Sequence, residues 1–363
     1  MYTWREIDEN WLLGAQLALS PDEVTRAFNT VAERFGREWV EARHLHRGLP
    51  HHGILPTIRV VRLGQQLATL DNAPGSAHLL AKVREGIPDA LAELSSIHLV
   101  CAGDSTHSLE VEPDIVVGAR NRKPDFRVRQ TNEDWTYVEV AQPCTSDAQA
   151  TIRRHIERLC KLADTHVGNY ALEIFLRRAP GDDEVEPLVR EVATYLHNAN
   201  HVRTELSNGL GTLYWGEYGG AGVTLEDHSE PYTPRLGAMR AVVQDNVQRS
   251  VSVRWPFADS RAKNFLDRES KQLPTNAPGL VMIDTTEASG AMKSWRHVVE
   301  RRFQPHMYTR VSAVCLYSSG LWSTPDGEEL RWETQLISNP YARHALPGWI
   351  VDQLQRFSNG HGA

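Results

Sequence analysis

The chain has 363 residues, of which 41% are hydrophobic and 23% charged, with a formal charge of −7. This length allows two domains or one large domain with additions, and the composition excludes a disordered chain or a fibrous repeat. The negative balance excludes a protein that coats nucleic acid with its whole surface, although contact with a short stretch needs only a local basic patch.

The N-terminus, MYTWREIDENW, carries acids where a secretory signal needs a basic start and an apolar run, and no uninterrupted apolar stretch reaches the ~18 residues of a membrane span. A cytoplasmic location is the expectation. Cys101, Cys144, Cys160 and Cys315 form no CxxC pair, the pattern of reduced thiols and not of a disulfide frame or zinc ribbon.

Residues 1 to 75 carry helical patterns. Ser20 is a suitable N-cap, Pro21 suits the first helical position, and Val24, Phe28, Val31 and Phe35 recur at helical spacing. The following tract, HLHRGLPHHG, holds His44, His46, His51 and His52. It lacks a cysteine pair or an HExxH helix, so these read as solvated loop histidines.

From Ala77 to Ala102 two helical segments are expected, broken near Gly86, Ile87 and Pro88. In the second, Ala90, Leu94 and Ile97 form an apolar stripe, and Glu93 sits at its edge, where a carboxylate can enter a cleft. Three extended runs follow, THSLEVEP, PDFRVR and WTYVEVAQ, the last two separated by the polar turn QTNED. Next come a helix from Asp147 to Asp164, a strand ALEIFLRR, and a helix near Asp183 to Asn198. In the first of these helices Ile152, Ile156, Leu159 and Ala163 share one side, opposite Arg154, Arg158 and Lys161. The basic side is either a solvated face or a phosphate grip.

Residues 200 to 250 contain strand-like pieces and the loop WGEYGGAGVTLED, whose glycines fit neither a P-loop nor a dinucleotide fingerprint. In the C-terminal third, LVMIDTTEAS, SWRHVVERRF and VSAVCLYSS run strand, helix, strand, as YVEVAQP, IRRHIERLC and ALEIFLRR do earlier. Two βαβ-like units in one mixed sheet is the expected arrangement, ahead of an internal duplication. The NPYARHALP tail reads as loop.

Asp125 at the start of one strand, Glu139 on the next and Glu93 on the preceding helix are the residue types that hold a divalent ion for phosphodiester hydrolysis. Oxygen ligands suit Mg²⁺, which needs only one or two protein carboxylates beside water and phosphate. On these residues the chain resembles the PD-(D/E)xK nuclease superfamily, the restriction-endonuclease-like fold. Pro124-Asp125 matches its PD, Glu139 its second acid, and the helix, three strands, helix, strand order of residues 77 to 178 its core.

The resemblance implies an α/β protein. Residues 1-75 would be an N-terminal helical extension, 76-200 a restriction-endonuclease-like core with a central mixed sheet flanked by helices, and 201-363 a C-terminal mixed α/β extension. It also implies Mg²⁺ or Mn²⁺ held by Asp125, Glu139 and Glu93, DNA as the substrate, and Arg127, Arg154, Arg158 and Lys161 as contacts to the nucleic acid. A homodimer or a protein partner is left open.

The family's lysine, two residues beyond the second acid, is Ala141 here, and a methyl group can neither orient water nor stabilise charge. Two rescues are candidates: Gln142, adjacent and counted among the catalytic residues although a regular strand would turn it from Glu139, or a basic residue from elsewhere, Arg127 on Asp125's face or Lys161 on the helix, reaching in. The alternatives are a catalytically inactive member of the fold that binds nucleic acid or a protein, and a metal-dependent hydrolase of another phosphoester.

Overall fold

The computed structural model describes residues 1–12, 16–44, 54–70, 73–103, 107–117, 120–143, 147–197, 202–216, 235–244, 247–256, 261–286 and 291–358. Residues 45–53 of the histidine tract and most of the glycine loop at 215–227 fall outside them. The chain opens with α1 (Trp4–Ile7) and a π-helical turn at Asp8–Leu12, then enters α2 (Pro21–Phe35). Ser20 caps α2 as its sequence predicts: its hydroxyl accepts from the Glu23 N–H at 3.3 Å, and the Glu23 carboxylate accepts from the Ser20 N–H at 2.8 Å. Two donors that a helix start leaves unpaired are thereby satisfied reciprocally.

Val24, Phe28, Val31 and Phe35 are all buried. After α3 (Arg37–His44) comes α4 (Ile54–Thr69), which packs closely on α2. Gly64 makes that approach possible, since a Cβ there would lie 2.3 Å from the Ala27 carbonyl oxygen. Next are α5 (Ser76–Glu85), ending at a left-handed Gly86, and α6 (Pro88–Cys101), separated at Gly86 to Pro88 as expected. α6 is buried on nearly every side, so Glu93 does not sit at the edge of a stripe; it is enclosed with its neighbours.

The expected extended runs form β1 (His107–Val111), β4 (Phe126–Gln130) and β5 (Thr136–Ala141), an antiparallel set in the order β1-β4-β5. A short hairpin of β2 (Ile115–Val117) and β3 (Arg120–Arg122), which the sequence pattern did not reveal, interrupts them.

The chain then departs from the expected order. α7 (Asp147–Cys160), α8 (Leu162–Thr165), β6 (Tyr170–Leu176), α9 (Asp182–His197), β7 (Val202–Glu205), β8 (Gly211–Gly216), β9 (Arg235–Gln244) and β10 (Val247–Pro256) build a separate five-stranded sheet, in the order β7-β8-β6-β10-β9. Ile156, Leu159 and Ala163 enter its core together with Leu172, Ile174, Val251 and Val253, so the apolar side of the helix packs on a sheet as predicted, but on this one. The expectation of two βαβ units in one sheet is overturned, because β5 and β6 belong to different sheets.

The first sheet resumes with α10 (Ala262–Glu269), β11 (Gly279–Asp284), α11 (Ala291–Arg302), β12 (Ala313–Thr324), β13 (Gly327–Ser338) and α12 (Gly348–Ser358). β11 pairs in parallel with β5 on one side and β12 on the other, completing a six-stranded mixed sheet in the order β1-β4-β5-β11-β12-β13. Every residue of β11 is buried, as a central strand covered on both faces requires. The chain is a mixed α/β protein with helix-flanked mixed sheets.

Its compact units do not follow the three consecutive segments expected from sequence. One comprises Met1–Pro143, Ser260–Thr286 and Trp295–Ala363, and the other Cys144–Asp259 and Glu287–Ser294. The reason is hydrogen bonding: β11 to β13, expected in a C-terminal extension, supply half of the first sheet, and the N-terminal helices share its core through residues such as Phe28, Leu67 and Tyr317.

Gly64→Ala tests the α2–α4 contact. Alanine favours a helix by roughly 1 kcal/mol over glycine, yet here it meets backbone, where overpacking costs about 1–3 kcal/mol. The variant should be less stable in urea denaturation; a gain in stability would contradict the close crossing.

Candidate active site

The site grows from the pairing of β4 and β5. Phe126 stands opposite Val138, and one step further along that antiparallel register sets Asp125, just before β4, against Glu139. The Val140 N–H donates to Asp125 Oδ2 at 2.6 Å, fixing that carboxyl at the strand end. Register with β11 places Glu139 beside Val281, between a strand pair and the helix α10, which packs against β5.

Burial and mutual repulsion act on these acids together. Burial raises Glu139 most, with Asp125, Glu269 and Glu93 adding to it; Asp125 is raised by burial and then by Glu93, against the favourable Val140 N–H. Glu93 is raised by burial and by Glu112, with Lys82 opposing. From the ordinary carboxylate range the three move up to between about 7 and about 10. Asp125, Glu139 and Glu93 are therefore brought into one electrostatic neighbourhood.

Two residues of the cluster have no sequence signal pointing to them. Glu269, at the end of α10, is buried and raised by that burial, while the Arg268 guanidinium, 2.5 Å away, opposes the shift. It lies far beyond any spacing by which a sequence motif would connect it to Glu139. Lys82 of α5 donates to Glu112 at 2.7 Å, and Glu93 and Asp125 also favour its charge. Glu112 itself, at a left-handed φ of 48°, gathers His78, Lys82 and Lys123, each within 2.7 Å, which hold its carboxyl down to about 2. The break between α5 and α6 was legible, but not that it folds Lys82 back toward Glu93.

The other expected residues fare differently. Arg127 is engaged elsewhere: it pairs with Glu110, donates to the Tyr137 hydroxyl at 3.4 Å and lies 4.4 Å over the Trp135 ring. Ala141 is buried at the end of β5. Gln142 follows the end of the strand, so strand alternation does not direct it away from Glu139, and its Oε1 is buried without a hydrogen-bond partner. Lys161 is exposed between α7 and α8, in the unit whose helices pack on the five-stranded sheet. In the same unit Arg154 donates to Thr151 at 2.9 Å and Arg158 pairs with Glu186.

Two observations bear on a divalent cation, the first in favour and the second against. Glu93 Oε2 and Glu139 Oε1 are buried and lack a hydrogen-bond partner, which is costly for a carboxylate unless a cation or proton takes the place. Conversely, among the described residues no three acids, histidines or cysteines form a ready-made cage. A divalent ion at these residues would rest on one or two carboxylates completed by water, a coordination that suits Mg²⁺ and not a zinc-type site. Comparison of the chain with protein-family models, curated proteins and solved structures gives no match. The class that the fold defines is a mixed α/β protein, and among the described residues no helix is long and apolar enough to cross a membrane.

The raised carboxyls make metal-free stability depend on pH. The native state keeps these protons above the ordinary carboxylate pKa of roughly 4, so stability falls as pH rises through the shifted values. Thermal midpoints in EDTA should drop between pH 7 and pH 9.5, and Glu139→Gln should reduce the drop. At pH 9 that variant should exceed the unmodified protein by about 1 kcal/mol or more, the worth of one pKa unit. A midpoint that is flat or rises over this interval would remove the buried acid cluster.

Proposed function

We propose that the chain is a divalent-metal-dependent nuclease with a restriction-endonuclease-like core, cleaving DNA phosphodiester bonds. The observation that carries this reading is the gathering of Glu93, Asp125, Glu139 and Glu269 with carboxylate oxygens left unpartnered. Buried like charges repel, and a cation-binding role gives such a cluster a use. The reading is supported further by the order α6, β1, β4, β5, α10, β11 in the first unit, which resembles that family's core if the β2–β3 hairpin and residues 144–259 are insertions and if α10 and β11 take the places expected of Asp147–Asp164 and ALEIFLRR.

Asp125 and Glu139 would hold Mg²⁺ or Mn²⁺, with Glu93 reaching it directly or through water. The ion supplies a nucleophile at neutral pH and neutralises charge on the phosphate. Lys82 is a candidate for the work of the missing lysine, since its charge is favoured by both Glu93 and Asp125. Its ammonium can orient water and stabilise developing negative charge, which Ala141 cannot. Glu112 holds the Lys82 ammonium in position.

A second reading has its own support. Ala141 and the lack of a preformed three-ligand cage among the described residues favour an inactive relative that binds nucleic acid or a protein.

Purified protein should nick or cut single- or double-stranded DNA with Mg²⁺ or Mn²⁺ and be silent in EDTA. Asp125→Asn and Glu139→Gln should abolish cleavage while circular dichroism shows an intact fold. Lys82→Met should slow it by roughly 10²–10⁴-fold, the usual worth of a positioned acid–base group. Cleavage surviving Asp125→Asn would place catalysis elsewhere, and absence of cleavage on every DNA and RNA form would favour the binding module.

A further inference from the structure

A cavity of about 700 Å³ opens between α2, α4, β13 and α12 and shares no lining residue with the acid cluster. Its size falls within the ~300–1,000 Å³ of small-molecule sites. Arg62 of α4 lines it and is half-buried. A guanidinium brings five N–H donors and a permanent charge. Here one donor reaches the Ser319 hydroxyl at 2.5 Å, and the Trp332 ring centroid lies 3.5 Å from Cζ. Asp284 favours the charge electrostatically, but among the described residues no carboxylate forms an ion pair with Arg62.

A half-buried guanidinium with one neutral acceptor is only partly satisfied, and an oxyanion taken by its remaining donors would complete it. The rest of the lining agrees. His98 is held neutral near pH 7, its pKa lowered to about 4 by burial and by Arg62, so it brings no charge of its own to the cavity. Trp332 and Phe357 give apolar walls, and Arg26 and Arg356 stand exposed at the rim. Three acids line the cavity: Glu23 is occupied by Ser20 and Glu329 by Arg331, and Glu328 lies at the start of β13, against four arginines, Arg26, Arg62, Arg331 and Arg356.

We propose that this cavity is a binding site for a small organic oxyanion of nucleoside-monophosphate size, with Arg62 taking its phosphate and the apolar walls its ring. The assignment does not depend on the nuclease reading.

Calorimetric titration of the full chain in EDTA, with adenosine monophosphate, adenosine, inorganic phosphate and benzoate as probes, tests it. Adenosine monophosphate should bind, and each of the other probes should bind at least about tenfold more weakly, because each lacks either the phosphate or the ring. Arg62→Lys, which keeps the charge but loses the fork, should weaken binding by about tenfold or more. The double variant Arg26→Ala/Arg356→Ala, at exposed positions that leave the fold intact, should weaken it also. Asp125→Asn should leave it unchanged, which separates this site from the acid cluster. No binding of adenosine monophosphate below millimolar concentration, equal binding of phosphate or benzoate, or binding indifferent to both sets of arginine variants would each overturn the proposal.

Discussion

The parallel pairing of β5 with β11 is the constraint on which the first unit depends. It joins Tyr137–Ala141 to Gly279–Ile283 across the whole inserted sheet, and it makes β5 an interior strand of the six. A parallel partner cannot be reached by a hairpin, so the chain must leave and return. Here the return passes through α10, and that passage sets Glu269 against Glu139. The pairing thus determines both the covering of the sheet and the composition of the acid cluster.

The cluster is where local and global preferences conflict. Carboxylates are excluded from interiors unless paired, yet Glu93, Glu139 and Glu269 are buried beside apolar strands. The surroundings compensate unevenly: Arg268 engages Glu269, Lys82 favours ionised Glu93, and Asp125 has one backbone donor, while Glu139 has the least relief and the largest upward shift. Sites that violate the rules of a packed core are expected to be functional ones. The same logic separates Arg62 from Arg127, because Arg127 is surrounded by Glu110, Tyr137 and Trp135, whereas Arg62 has a hydroxyl, a ring and an open cavity.

Local signals were read correctly where short-range physics decides them. Ser20, Pro21 and the Val24 to Phe35 stripe define α2 through hydrogen bonds and burial within about four turns. The β-branched and aromatic alternation of PDFRVR and WTYVEVAQ defines β4 and β5, and the proximity of Asp125 and Glu139 follows from the turn that joins them. Glu93 was legible as a candidate, although its enclosure was not, since α6 carries too even an apolar surface for a stripe to identify its neighbours.

By itself the sequence determined the elements with strong local patterns, such as α2, α6, β4, β5 and β11, together with the Asp125/Glu139 strand pair and the loss of a lysine at Ala141, because each depends on residues a few positions apart. Tertiary structure alone decided which sheet each strand joined. The ALEIFLRR strand and the LVMID strand are both short apolar runs able to lie beside β5, and hydrogen bonding between backbones does not distinguish them. Only packing of the whole chain selected β11 for that place and sent β6 to the other sheet, and with that choice Glu269 entered the acid cluster while Lys161 was assigned to the second unit. Lys82 came near Glu93, and Arg62 came to face a cavity, by the same long-range packing, which no spacing along the chain encodes.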